Sequence, residues 1–181
     1  MSTAQIAACA LAALVVFWML GAYNRLVRLR QAIAQAFAQI EAEFAQRDRL
    51  IPQLVEQAGA QLAGEARTLS AVEAARNQAR AALEHAATKP SSAGRAASLA
   101  LAEQVLQDAI GQLMTCVKAT PALGAKAELP ETVETLAMAQ SRLSVARQNF
   151  NQAVSDYNKS VRQFPTRLIA GLLVFQESGG F

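Results

Sequence analysis

The sequence predicts an all-α protein: a single N-terminal transmembrane helix that runs on into an antiparallel four-helix bundle of long helices. Three observations carry this. Residues 1–24 hold no charged side chain, apolar residues recur every seven positions through the rest of the chain, and Pro and Gly are confined to a few places between the periodic stretches. Apolar rows at three-and-four spacing mark the buried stripe of a helix in a bundle.

The N-terminal segment comes first. From Ala4 to Ala22 the one clearly polar residue is Gln5, and about 20 apolar residues in a helix cross the ~30 Å hydrocarbon core of a bilayer. Trp18 and Tyr23 stand near its end, where amphipathic rings favour the lipid–water interface. The competing reading is a cleaved signal peptide, for which Ala7-Ala8-Cys9-Ala10 supplies small residues. Such a peptide has a basic start and a cleavage site after its apolar stretch. Met1–Gln5 has no basic side chain, and Gly21-Ala22 runs straight into helix-forming sequence, so the anchor reading is preferred. Residues 1–22 are therefore assigned to the anchor, 23–165 to the bundle and 166–181 to an apolar tail. Arg25, Arg28 and Arg30 follow the span before the first acid, Glu41. Positive charge close to a span is retained in the cytoplasm, which predicts the N-terminus outside and the bundle in the cytoplasm.

The first bundle helix continues from the anchor, with Leu26, Ile33 and Ile40 in one row and Phe37 and Phe44 in the other. Pro52 removes a helical donor and restricts Ile51, so a tight turn or sharp bend is expected near Arg47–Ile51, with Asp48 capping the next helix. That second helix is expected to reach about Ala87, with rows Val55, Leu62, Leu69, Arg76, Leu83 and Ile51, Ala58, Glu65, Val72, Ala79. Gly59 and Gly64 would each weaken its interior by about 1 kcal/mol. The stretch Thr88–Gly94 reads as a loop. A third helix carries Leu99, Leu106, Ile110, Leu113 and Val117, and Thr120–Leu129 forms the last connection.

The final helix has the clearest period: Leu129, Leu136, Leu143, Phe150, Tyr157 and Phe164 recur by seven, beside Val133, Gln140, Arg147, Val154, Val161 and Leu168. It should start near Pro130 and end before Pro165. Short connections favour antiparallel neighbours, and an even number of helices brings the chain back to the bilayer. The tail Leu168–Phe175 is too short to span it. It is expected to cap the base of the bundle, dock on headgroups or join subunits.

Several stretches resemble the LemA family. Tyr23-Asn24-Arg25-Leu26-Val27-Arg28-Leu29-Arg30 is similar to the start of that domain, and Leu50-Ile51-Pro52-Gln53-Leu54-Val55-Glu56 to its LIPNLVE signature. Glu65, Ala75-Arg76, Ala146-Arg147, Phe150-Asn151, Tyr157-Asn158 and Phe164-Pro165 also fall in the family's order and spacing. Gln53, Phe150, Gln140 and Arg49 depart from the usual Asn, Tyr, Glu and Asp. The resemblance implies a bacterial four-helix bundle on one N-terminal anchor, with no established catalytic activity and a role in membrane-associated assembly.

The residues point to no enzyme chemistry. His85 is the single histidine, sits where a cation suits a helix C-terminus, and lacks the cluster zinc requires. Glu41 and Glu43, two apart, point to different helix faces, while Asp48 and Glu56 read as cap and surface residues. No phosphate loop or nucleophile elbow is present. Cys9 and Cys116 form no CxxC and no disulfide framework. The net charge of +3 is spread at helical spacing among acids, as on a solvated face rather than a nucleic-acid footprint. No cofactor or metal is expected.

The informative polar residues are Glu65, Arg76, Gln140 and Arg147, which stand in apolar rows. A buried charge demands a partner, so these four are expected to form a polar network fixing helix register, with a ligand site as the alternative reading. Trp18, Tyr23, Arg25, Arg28 and Arg30 are expected at the membrane surface, where the arginines orient the chain more than they select a lipid. Two functional classes remain open. One is an assembly protein that self-associates on the lipid bilayer into a homo-oligomer. The other is a tethered receptor or adaptor holding an unknown protein partner or ligand through its seam or the Arg47–Gln53 turn.

Overall fold

The computed structural model describes residues 2–59, 62–120, 128–163 and 177–180. Four helices are found there: α1 Thr3–Gly59, α2 Ala66–Ala87, α3 Ala93–Ala119 and α4 Glu128–Arg162, with a 3₁₀ turn at Ala63–Glu65 before α2. No strand occurs among the described residues. Helix α1 packs along α4 and α2 along α3, and α1 also meets α2. The expected all-α bundle with an apolar N-terminal helix is therefore the observed architecture.

The first helix differs from expectation in one respect: there is no turn near Arg47–Ile51. α1 is a single helix of 57 residues with Pro52 inside it, roughly 85 Å long at ~1.5 Å per residue. Its buried seam explains why. Leu26, Ile33, Ile40, Arg47 and Leu54 form one row, and Phe37, Phe44, Ile51 and Ala58 the other. Neither row changes phase at Pro52, so a break there would take Leu54 and Ala58 out of the core. Ile51, Leu54 and Ala58 are 0–1 % exposed. Burying a large aliphatic side chain contributes about 1.5–3 kcal/mol, enough in sum to offset the ~3 kcal/mol of a proline in a helix interior. Pro52 itself faces solvent. Asp48 accordingly caps nothing; it lies mid-helix. α1 ends later, at Gly59, and the 3₁₀ turn that holds Gly64 leads into α2. The two glycines read as weak points of a helix interior are where the helix ends and the turn forms.

α2 begins at Ala66 rather than near Asp48 as expected, because α1 keeps the intervening residues to Gly59, while the other boundaries lie close to expectation. α2 ends at Ala87, and α4 runs from Glu128 through Pro130, its third residue, to Arg162. The core is one continuous cluster built from all four helices, including an edge-to-face pair of Phe37 and Phe150 at 5.9 Å. Leu129, Leu136, Leu143, Phe150 and Tyr157 are all buried, so the seven-residue row of α4 is its inward face. Antiparallel packing sets the C-terminal half of α4 beside the start of the bundle part of α1. There the Arg30 charge acts on Tyr157, whose phenol is nonetheless pushed up from its usual value by burial.

The N-terminal part of α1 stands apart from this core. Every residue from Ser2 to Gly21 is exposed; a window of α1 near its N-terminus has mean hydropathy 2.2 and none of it is buried. It is long and apolar enough to cross a membrane. Trp18, Tyr23, Arg25, Arg28 and Arg30 all lie exposed at or just after its end, and Leu26 is the first buried residue.

Candidate functional site

The deepest polar feature is a layer of three charged side chains contributed by three helices. Arg47 of α1 is 0 % exposed and Glu103 of α3 is 1 % exposed. They meet in a two-pronged pair in which Arg47 Nη1 donates to Glu103 Oε2 at 2.8 Å and Nη2 donates to Oε1. Arg147 of α4 donates to the same Glu103 Oε2 from the rim of the core. Planar guanidinium and carboxylate match in this geometry, which is why arginine rather than lysine serves such sites. The Phe44 ring lies under the Arg47 guanidinium, 4.8 Å from carbon to centroid, and supplies a cation–π contact. Arg47 Nε has no hydrogen-bond partner among the described residues.

The layer holds two guanidinium groups against one carboxylate, a net charge of +1. Arg47 and Glu103 neutralise each other in the interior, while the Arg147 side chain is 22 % exposed and shares its charge with solvent. Burial lowers the pKa of Arg147; the Glu103 charge opposes that, and Arg47 adds to it. Breaking such a pair is costly, whereas an apolar replacement of the whole set is often neutral or stabilising. The layer ties α1, α3 and α4 together through one shared carboxylate.

A second cross-helix pair lies one residue further along α1. Arg76 of α2 donates through Nε and Nη2 to the two carboxylate oxygens of Asp48, both at 2.7 Å. The hydrogen bond to Asp48 raises the Arg76 pKa, with desolvation opposing it. The four residues singled out in the sequence thus do not share one network. Arg147 joins the buried layer and Arg76 pairs with Asp48. Glu65 is exposed in the 3₁₀ turn, where it accepts from the Thr68 hydroxyl at 3.2 Å, and Gln140 is half-buried on α4. Glu65 fell into an apolar row only because that row was carried across a real turn.

Sequence reasoning passed over the two most buried members, Arg47 and Glu103. For Arg47 a signal existed: it is the fourth residue of the row Leu26, Ile33, Ile40, and Leu54 follows it. Glu103 follows the same logic, lying between the buried Ala102 and Leu106 and four residues after Leu99.

The described tail residues close the other end of the bundle. Ser178 donates its backbone N–H to Asn158 Oδ1 at 2.8 Å, and Asn158 Nδ2 returns a bond to the Ser178 carbonyl at 2.8 Å. The Ser178 hydroxyl donates to the Ser91 carbonyl at 3.0 Å, and Arg162 pairs with Glu177 through two nitrogens. The segment 177–180 thereby ties α4 to the α2–α3 turn. A Cβ on Gly179 would collide with the backbone of Ala93, so close approach requires glycine there, whereas at Gly180 a Cβ would meet only the Asn151 side-chain oxygen, which can move aside. The stretch Leu168–Phe175 lies outside the described residues.

On the outside, α1 and α4 leave a shallow groove. One part, of about 430 Å³, is lined by residues including Glu43, Arg142, Val145 and Asn149. A neighbouring part is lined by residues including Arg49, Gln53, Met138 and Arg142. Residues of the expected Arg47–Gln53 turn thus border this groove as part of a continuous helix. Among the described residues no group of three or more His, Cys, Asp or Glu side chains could hold a metal ion, and Cys9 and Cys116 are free.

These features define an all-α bundle of long helices whose first helix carries an unburied apolar extension of membrane-spanning length. The chain belongs to the LemA family, whose model matches residues 36–181 and so covers most of it. No curated protein matches the sequence.

Proposed function

We propose that this protein is a non-enzymatic, single-pass membrane scaffold that acts by self-association, with its bundle held on the cytoplasmic face. The observation that supports this most is the continuity of α1. The exposed apolar segment and the first bundle helix are one element of 57 residues, so the bundle is carried by the span without a flexible linker. A linker would let a tethered domain search for distant partners. A continuous helix instead holds every copy at one height and in one orientation, which favours lateral assembly. Arg25, Arg28 and Arg30, exposed just beyond the span, support the cytoplasmic placement. The charged groups brought together in the interior are engaged with one another as cross-helix ties, an arrangement suited to building a rigid body.

Multi-angle light scattering of the full chain in detergent, with the detergent mass subtracted, tests the reading. Self-association gives a protein mass that is a multiple of 19.3 kDa. A mass of one chain at all concentrations contradicts it and favours a membrane-tethered adaptor.

A further inference from the structure

We infer that the outward face of α3 docks into the α1–α4 groove of a second copy of this chain, side by side on the membrane. The inference rests on the membrane-scaffold reading above and specifies its contact.

Two apolar patches are left exposed on the bundle. Leu101 and Val105 of α3 are 63 % and 41 % exposed, and Met138 and Val145 of α4 are 47 % and 53 % exposed. At helical spacing within the patches stand Asp108 on α3 and Arg142 on α4, both exposed; the groove also carries Glu43 and Arg49 of α1, so it remains positive overall. Arg142 and Val145 line the groove directly. Asp108 and the groove are opposite in charge, and the two patches lie on different parts of the surface, so each has a complement only on another copy.

The shared anchor turns this likeness into a register. Copies planted in one bilayer by the same rigid helix stand at the same height, so only residues at equal height can meet. In the buried layer the side chains of Glu103 on α3 and Arg147 on α4 meet, and that meeting point serves as the common reference height of the two helices. α3 and α4 run in opposite directions. Two residues on from Glu103 is Val105, and two back from Arg147 is Val145; five on and five back are Asp108 and Arg142. A neighbour at equal height therefore meets Val145 with Val105 and Arg142 with Asp108, in antiparallel register, with Leu101 and Met138 flanking them. The contact joins two different patches. It is therefore heterologous, and repeats into a ring if the rotation closes or a row if it does not.

Cysteine crosslinking in lipid vesicles tests this, using full-length chains in which Cys9→Ala and Cys116→Ala remove the native thiols. Copies carrying Val105→Cys are mixed with copies carrying Val145→Cys and mildly oxidised. The expected result is a disulfide-linked pair in the mixture and none in either population alone. Asp108→Arg on the first copy lowers the yield by about tenfold or more, because like charges now face each other. Adding Arg142→Asp to the second copy restores it. All four positions are solvent-exposed, so the bundle is left intact. Crosslinking of Val145→Cys copies with one another overturns the inference in favour of a symmetric contact. Absence of the mixed crosslink in chains that light scattering shows to be associated overturns this interface and leaves self-association standing. Monomeric chains overturn both.

Discussion

Arg47, Glu103 and Arg147 join three helices through one buried carboxylate, and a role in setting helix register makes a specific prediction. Glu103→Ala leaves two guanidinium groups facing each other with their carboxylate gone, and should destabilise the bundle by about 3–5 kcal/mol, read as a shift of the denaturant midpoint. Replacing all three together, by Arg47→Met, Glu103→Leu and Arg147→Met, should change stability little or raise it by about 1–4 kcal/mol. Its cost should appear instead as mixed register, seen as multiple conformers in amide NMR spectra. If the triple variant is as destabilised as Glu103→Ala, the layer is a stabilising core element rather than a register key. Asp48→Ala should weaken the α1–α2 contact by less, since Asp48 and Arg76 keep side-chain exposures of 17 % and 24 %; partly solvated pairs contribute on the order of 1 kcal/mol.

At the scale of elements, hydrophobic phase proved more informative than proline. The sequence made all four helices legible, together with the inward row of α4, because those rest on repeated apolar positions. The first turn was not legible where it was sought. Pro52 marks a local weakness, yet Phe44, Ile51, Leu54 and Ala58 keep one phase across it, and burial summed over that seam outweighs one missing hydrogen bond. The candidate site was half legible for a related reason. Arg76 and Arg147 were found as charges in apolar rows, while Arg47 stood at the supposed break and Glu103 was not singled out. Arg47 and Glu103 each stand in an apolar row, but because they lie far apart in sequence nothing local says that they are partners. Two predictions follow from the packing. Pro52→Ala should raise stability, by up to about 3 kcal/mol, because it restores a helical donor at a solvent-facing position; a loss of stability would mean that the proline shapes α1 productively. Gly179→Val should free the 177–180 segment from the Ser91 turn. Amide exchange should then quicken at that turn and at the end of α4 without lowering the overall unfolding midpoint by more than about 1 kcal/mol, since few buried contacts are lost.

The whole molecule is a rod whose first helix belongs to two environments, apolar and unburied near the N-terminus and seam-packed from Leu26 onward. That continuity gives the protein its proposed task, because it fixes height and direction for every copy and so makes lateral contacts repeatable. The proposed task requires association within a bilayer. Its most direct measurement is energy transfer between donor- and acceptor-labelled full-length chains in vesicles, followed as unlabelled lipid is added by vesicle fusion. Specific association predicts that transfer persists as the chains are diluted in the membrane. A fall to the level of randomly placed labels at the same surface density would contradict it.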